Sequence, residues 1–124
     1  MPPTKKILVV DDEKEFLALI KSAFEIRGFA VVTADNAIDA GLALAVGLPD
    51  LILMDIKMPG INGIQACEAI RRNPVTKNVP IIIVSALSHE SDMKKAQKVG
   101  VAGYFVKPVN LEELIKKIKE ILTQ

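Results

Sequence analysis

The chain is poor in the residues that build disulfides, metal clusters and aromatic cores. Its 124 residues include one cysteine, one histidine, one tyrosine, four phenylalanines and no tryptophan. The lone Cys67 excludes an internal disulfide and a multi-cysteine metal site, which fits a cytosolic protein. The lone His89 lacks partners for a metal site or a catalytic triad, and we interpret it as an incidental surface residue. With so few aromatic residues, the core must consist of valine, isoleucine, leucine and alanine.

Long apolar runs and a strong net charge are also missing. Half of the residues are hydrophobic, yet a run such as 79–84 is far too short to cross a bilayer. The first apolar run, Ile7 to Val10, ends in acidic residues, so neither a signal peptide nor membrane insertion is expected. We therefore expect a cytoplasmic location. The net charge of +1 gives no reason to expect direct nucleic-acid binding. The length predicts a single compact domain over residues 1–124.

The chain does contain a regular alternation of short apolar runs and amphipathic segments. The predicted strands are Ile7–Val10, Ala30–Thr33, Leu51–Met54, Ile81–Val84 and Tyr104–Val106. The predicted helices are one that ends at Gly28, one over 37–46 capped by Asn36, one from Ile64 towards Asn73, one over about 92–99, and one that begins after Asn110. Strands that alternate with helices predict an α/β fold with a doubly wound parallel sheet.

Charged residues follow three of the predicted strands. Asp11 and Asp12 follow the first strand, Asp55 follows the third and Lys107 follows the fifth. In open α/β sheets the ligand site lies beyond the carboxyl ends of the strands, so we expect these side chains to meet in one pocket. Crowded carboxylates repel one another and recruit a cation, and all-oxygen ligation favours Mg²⁺. The pattern therefore predicts a site that binds Mg²⁺ and accepts a phosphoryl group.

Taken together, the motifs closely resemble the receiver domain of two-component response regulators, and the resemblance covers nearly the whole chain. The matching features are Asp11-Asp12, the segment 54–63, Ser85-Ala86, Tyr104 and Lys107-Pro108. The resemblance implies a flavodoxin-like (βα)5 fold with five parallel strands in the order 2-1-3-4-5. It also implies a signalling domain that catalyses its own phosphorylation and slow dephosphorylation rather than an enzyme acting on a separate substrate.

The resemblance assigns the phosphoacceptor and the metal ligands. Asp55 would accept the phosphoryl group from a phosphohistidine on a sensor histidine kinase or a histidine phosphotransfer protein. Mg²⁺ would be held by Asp12 and Asp55, by Asp11 through water and by the backbone carbonyl of Lys57. Lys107 would neutralise charge on the transferred oxygens as a compact ammonium.

The resemblance also implies how the signal leaves the site. Ser85 would move towards a phosphoryl oxygen, and Tyr104 would turn inward to fill the space behind it. The surface altered in this way would be the last two helices and the fifth strand, where a downstream protein would bind. On that surface we expect Met93, Ala96, Val99, Tyr104 and the Lys116–Lys119 face. A dimer that forms on phosphorylation is left open, as is the oligomeric state.

Four other functions are less consistent with these residues. A flavin-binding module of the same fold needs a hydroxyl- and glycine-rich loop after the first strand, but residues 11–15 carry four acids there. A haloacid-dehalogenase-type phosphatase needs a second aspartate two residues after the nucleophile, and this chain has Lys57 at that position. The P-loop string of nucleoside triphosphatases is absent. A phosphorylation-independent interaction module of the same fold remains the alternative, which the intact acid set disfavours. The sequence leaves open the cognate kinase, the target, the phosphoryl lifetime and whether the chain belongs to a longer regulator.

Overall fold

The computed structural model describes residues 4–123 and is built on a five-stranded parallel sheet. The strands are β1 (Lys6–Val10), β2 (Ala30–Ala34), β3 (Leu51–Met54), β4 (Ile81–Ser85) and β5 (Gly103–Val106). The helices are α1 (Lys14–Ile26), α2 (Ala37–Val46), α3 (Gly63–Arg72), α4 (Glu90–Val99) and α5 (Leu111–Leu122). The strand order is β2-β1-β3-β4-β5 and all four neighbouring pairs are parallel, which confirms the predicted doubly wound fold.

The sheet carries helices on both faces because successive side chains of a strand point to opposite sides. On β1, Ile7 and Val9 pack with residues of α1 and α5, whereas Leu8 and Val10 pack with residues of α2, α3 and α4. Every residue of β3 and β4 is buried, which explains why these strands are continuous apolar runs rather than alternating ones. Within residues 4–123, none of the helices has the length and apolar character required to span a bilayer.

Most predicted boundaries agree with the structure to within one or two residues. β4 continues one residue further than predicted, because Ser85 still pairs with Val106 of β5. α4 begins at Glu90 rather than Asp92, since the carbonyl of His89 already accepts hydrogen bonds from the amides of Asp92 and Met93 at 3.1 and 3.2 Å. These small extensions lengthen the elements that flank the carboxyl edge of the sheet.

The predicted helix caps are present, and one further cap was not foreseen. The side chains of Asn36 and Asn110 accept hydrogen bonds from the amides of Asp39 and Glu113, at 2.8 and 3.1 Å. At the start of α3, Asn62 and Gln65 form a capping box, although the sequence analysis placed no cap there. This box fixes α3 directly behind the loop that follows β3.

The position expected for Ala96 was wrong. Ala96 is fully buried and packs in the core beneath α4, so it does not belong to the exposed face of the last two helices and β5. Met93, Lys116 and Lys119 are exposed as expected, and Val99 is half-buried. The error follows from helical geometry, because Ala96 lies on the face of α4 that packs against the sheet, and a small side chain there lets the helix approach closely.

Candidate functional site

The residues predicted to form the site converge at the carboxyl edge of the sheet. Asp11 follows β1, Asp55 follows β3, Ser85 ends β4 and Lys107 follows β5. A cavity of about 310 Å³ opens at this edge. It is lined by Asp12, Glu13, Asp55, Lys57, Ser85, Ala86, Leu87 and Lys107. The edge contains the switch in strand order between β1 and β3, where α/β sheets place their ligands.

Three carboxylates form a compact group in this cavity region. Asp11, Asp12 and Asp55 each offer one oxygen, and these oxygens all lie within 4.8 Å of one another. Asp11 and Asp55 are buried, whereas Asp12 is exposed. Backbone hydrogen bonds of 3.0 Å, from Asp55 to Val10 and from Asp11 to Ala34, extend the strand ladders and hold both aspartates in place. An all-oxygen donor set of this size fits a hard divalent cation such as Mg²⁺.

Burial makes the carboxylate group electrostatically unfavourable when it is fully ionised. Desolvation raises the pKa of Asp55, and the nearby charge of Asp11 raises it further, while Lys107 and Ser85 act in the opposite direction. Desolvation also raises the pKa of Asp11, despite its hydrogen bonds with Lys107 and Glu13. Carboxyl groups perturbed by burial and by like charge, and placed in a cleft, mark a functional site.

Lys107 is the cation of the site and is shared by three acids. Its Nζ lies 2.7 Å from Asp11 Oδ2, 2.7 Å from Glu13 Oε1 and 3.7 Å from Asp55 Oδ2. It also lies 4.4 Å from the ring centroid of Phe16, where a cation–π contact is favourable. Desolvation lowers the pKa of Lys107, but its hydrogen bonds with Asp11 and Glu13 outweigh this and raise it. Lys107 is therefore charged throughout the physiological range.

Glu13 and Phe16 are the site residues that the sequence analysis missed. Glu13 lies in the segment that joins β1 to α1, immediately after the predicted metal ligands, and Phe16 lies in the first turn of α1. The sequence did contain a signal for Glu13, because it is the third consecutive acid and follows residues predicted to share a pocket with Lys107. The pairing itself follows from the length of the two side chains, which allows Glu13 and Lys107 to meet above the sheet edge.

Ser85 and Tyr104 are joined through the loop between β4 and α4. The Ser85 hydroxyl oxygen accepts a hydrogen bond of 3.1 Å from the amide of Leu87. The Tyr104 hydroxyl donates a hydrogen bond of 2.7 Å to the carbonyl of Leu87. The backbone amide of Lys107 donates to the carbonyl of Ser85 at 2.8 Å. Because Tyr104 is half-buried and bound to Leu87 in this structure, its ring already contacts the loop that leads from the site to α4.

The remaining motif residues surround the cavity. Lys57 and Ala86 line it with exposed side chains, and Pro108 follows Lys107 through a cis peptide bond and is exposed. Gly63 of α3 lies against the backbone of Asp55: a Cβ atom there would overlap the backbone carbonyl of Asp55. The His89 side chain is exposed at the start of α4, as the sequence analysis expected.

Known proteins are similar to this chain in sequence and in structure. The phosphate regulon transcriptional regulatory protein PhoB of Rhizobium meliloti is 36% identical over 117 residues, which are 94% of this chain and 52% of PhoB. Protein PilH of Pseudomonas aeruginosa is 38% identical over 94% of this chain and 97% of PilH. A two-component response regulator from Clostridium difficile superposes with a TM-score of 0.93 at 30% identity, over 98% of each chain.

These relatives differ in length. The chain spans about half of PhoB but nearly all of PilH. The model of the response regulator receiver domain family matches residues 7–119. This range includes all of β1 except its first residue, the elements from α1 to β5, most of α5 and all of the site residues described above. The chain therefore belongs to the response regulator receiver domain family of two-component signal transduction.

Proposed function

We propose that the chain accepts a phosphoryl group from a partner's phosphohistidine onto Asp55, in a Mg²⁺-dependent reaction, and signals through the face formed by α4, β5 and α5. The observation that carries the proposal is the grouping of a buried Asp55 carboxylate with Asp11 and Asp12, within 4.8 Å, beside the Lys107 ammonium at 3.7 Å. Receiver domains of this family are phosphorylated by histidine kinases and act on downstream targets.

Asp55 is the nucleophile of the proposed transfer. One carboxylate oxygen of Asp55 forms a bond to phosphorus while the bond between phosphorus and the imidazole nitrogen of the donor breaks, and the leaving nitrogen keeps the electron pair. An ionised carboxylate needs no general base, so the site has to position the donor and neutralise charge. The burial that raises the pKa of Asp55 also removes competing water from the acceptor.

Lys107 and Ser85 stabilise the transferred oxygens in this proposal. The ammonium of Lys107 lies within reach of Asp55 and carries three donors. The Ser85 hydroxyl oxygen accepts from Leu87, and its own hydrogen, which lowers the pKa of Asp55 in the unphosphorylated protein, would be donated to a phosphoryl oxygen after transfer. Asp11, Asp12, Asp55 and the backbone carbonyl of Lys57 would hold Mg²⁺, which when bound neutralises further charge on the transferred oxygens.

The phosphoryl donor in this proposal is a separate protein. The only histidine of the chain, His89, is exposed at the start of α4, whereas Asp55 is buried in the cavity floor. A sensor kinase or a phosphotransfer protein would therefore present its phosphohistidine at the open side of the cavity. The aspartyl phosphate is a reactive mixed anhydride, so water admitted to the same cavity would hydrolyse it slowly.

Signalling would use the connection between Ser85 and Tyr104. A phosphoryl group on Asp55 adds charge and acceptors that draw Ser85 and Lys107 towards it. Because Leu87 is hydrogen-bonded to both Ser85 and Tyr104, movement of Ser85 changes the loop before α4 and the environment of the tyrosine ring. A downstream protein that binds α4, β5 and α5 would detect this change. A dimer formed through the same face on phosphorylation is a second outcome of the same mechanism.

Phosphate uptake from a small donor tests the proposal. Wild-type protein incubated with Mg²⁺ and acetyl phosphate should gain the mass of one phosphoryl group, and Asp55→Asn should gain none. The matched control is Asp35→Asn, which changes an acid at the end of β2 outside the cavity and should be labelled like the wild type. Equal labelling of Asp55→Asn would overturn the acceptor assignment. A wild type that takes up no phosphoryl group would favour the phosphorylation-independent interaction module.

A further inference from the structure

The nearest partners of the Lys107 ammonium are not the proposed acceptor. Its two hydrogen bonds, of 2.7 Å each, go to Asp11 and Glu13, and the Asp55 oxygen lies one ångström further away. The Asp11 carboxylate also accepts a hydrogen bond of 2.9 Å from the backbone amide of Glu13. Asp11, Glu13 and Lys107 thus form a closed ring of contacts at the mouth of the cavity.

The side chain of Glu13 has no other role in the local fold. Glu13 occupies the N-cap position of α1, where serine, threonine, aspartate and asparagine are preferred because their side chains bond the first helical amides. In the described chain, the Glu13 side chain makes no such bond with α1. Its carboxylate instead lines the cavity and binds Lys107. Helix capping therefore does not explain the residue.

We propose that Glu13 is a positioning residue that restrains Lys107 in the unphosphorylated protein and releases it when a phosphoryl group occupies Asp55. This inference rests on the proposed function, because it concerns the regulation of the same site. By holding the ammonium away from Asp55, Glu13 lowers the affinity of the site for a phosphoryl group and keeps the unphosphorylated state favoured.

The two bonds of Lys107 differ in how easily they break. The side chain of Asp11 is 2% exposed, whereas that of Glu13 is 63% exposed. Exposed ion pairs contribute little because water and salt compete for both partners. When a phosphoryl group competes for Lys107, the contact with Glu13 is therefore the one that opens. The charge of Glu13 at the same mouth also repels an incoming phosphoryl group, so both effects of the side chain act in one direction.

Binding of beryllofluoride, a phosphoryl mimic, with Mg²⁺ measures the restraint without a kinase. Glu13→Gln removes the charge at constant shape, and we expect it to bind beryllofluoride about two- to five-fold more tightly than the wild type, the range set by an exposed ion pair. Glu13→Ala also removes the acceptor and should have the larger effect. Glu15→Gln removes the same charge from the exposed first turn of α1 and should bind like the wild type.

The ammonium signal of Lys107 gives a second readout that needs neither mimic nor metal. In ¹⁵N-resolved NMR spectra, the Nζ resonance can be assigned by its loss in Lys107→Arg. In metal-free Glu13→Gln, this resonance should shift from its position in the metal-free wild type, because the ammonium loses one of its two close carboxylates, and in Glu15→Gln it should not. A purely structural role for Glu13 at the helix terminus would leave the ammonium resonance unchanged.

The outcomes separate the restraint from the proposed function. A wild type that binds no beryllofluoride would overturn the proposed function, and an unmoved Lys107 resonance in Glu13→Gln would then overturn the restraint as well. If the wild type binds but Glu13→Gln binds equally well, the restraint alone is overturned. Weaker binding by Glu13→Gln would also overturn it, since Glu13 would then hold Lys107 in position for the phosphoryl group.

Discussion

The ammonium of Lys107 lies 2.7 Å from the carboxylate of Asp11, although 96 positions separate the two residues and their strands are not neighbours. The bond spans the carboxyl ends of β3 and β4, which lie between β1 and β5 in the sheet. It therefore links the carboxylate group of the site to the strand that carries Tyr104. We therefore expect a change of charge at Asp55 to reach β5 through the side chain of Lys107 as well as through the loop at Leu87.

The raised pKa of Asp55 predicts that this carboxyl group, the proposed acceptor, destabilises the metal-free fold. A carboxyl group whose pKa is higher in the folded than in the unfolded state lowers the free energy of unfolding when it is ionised. This loss is absent well below the unfolded pKa of about 3.9 and reaches its full size above the folded pKa. In the presence of a chelator, Asp55→Asn should therefore unfold at a higher temperature than the wild type at pH 7. We expect a gain of about 3–5 °C for each kcal/mol recovered, measured by thermal unfolding.

The pH dependence provides the control for this prediction. Well below pH 4 the wild-type carboxyl is protonated in both the folded and unfolded states, so the advantage of Asp55→Asn should vanish there. Asp35→Asn, outside the cavity, should show no such pH-dependent gain. Equal melting temperatures of Asp55→Asn and the wild type across this range would show that the acceptor is not strained by burial and by Asp11.

The fold and the acidic part of the site could be predicted because both depend on backbone periodicity. Runs such as Leu51–Met54 determine the strands, and the residue after each strand, such as Asp55 or Lys107, is placed at the edge by the chain itself. The distances between these residues then follow from the strand spacing. No side-chain conformation was needed to bring the aspartates and the lysine together.

The parts that were missed depend on side-chain reach or on which face of a helix a residue occupies. Glu13 binds Lys107 because both side chains extend over the sheet edge, and Phe16 lies beneath the ammonium by the same packing. Ala96 was placed on the surface because short helical windows do not fix the angle at which α4 meets the sheet. The Asn62–Gln65 capping box was missed, since Asn62-Gly63 is also a turn signal.

Mg²⁺ should stabilise the fold by binding the three carboxylates in the folded state alone. A ligand at a hundred times its dissociation constant contributes about 2.7 kcal/mol, so millimolar Mg²⁺ should raise the melting temperature by several degrees. Asp12→Ala should abolish most of that rise, because Asp12 supplies one oxygen of the group. Glu68→Ala, an exposed acid on α3, should retain the full response. If Mg²⁺ did not change the melting temperature of the wild type, that result would contradict the proposed metal site.

Gly63→Ala should destabilise the protein and disturb the acceptor. A Cβ atom at Gly63 would overlap the carbonyl of Asp55, and the carbonyl carbon would lie 2.8 Å away. The backbone has to shift, at a cost of about 1–3 kcal/mol, the usual range for overpacking. Urea unfolding measures the loss, and phosphorylation by acetyl phosphate should slow in the same variant.

The matched control for this variant is Gly41→Ala in α2. Nothing lies within 4 Å of a Cβ atom at Gly41, and an alanine in a helix is more favourable than a glycine by about 0.5–1 kcal/mol. Gly41→Ala should therefore stabilise the protein and leave phosphorylation unchanged. A stable and fully active Gly63→Ala would show that the loop after β3 tolerates displacement and that the close approach of α3 does not position Asp55.

Ser85→Ala should separate phosphate uptake from signal transmission. Asp55, Lys107 and the acidic group remain in place in this variant, so it should still be phosphorylated, although more slowly because one donor to the phosphoryl oxygens is lost. The bond from the Leu87 amide to the Ser85 hydroxyl is lost too, so the loop and Tyr104 no longer follow the phosphoryl group.

Both conformations of the loop between β4 and α4 should pre-exist, with phosphorylation shifting their populations. In NMR spectra, phosphorylation should move the amides of residues 86–109 in the wild type and far fewer of them in Ser85→Ala. Identical shift patterns in the two proteins would mean that Lys107 alone carries the signal to β5.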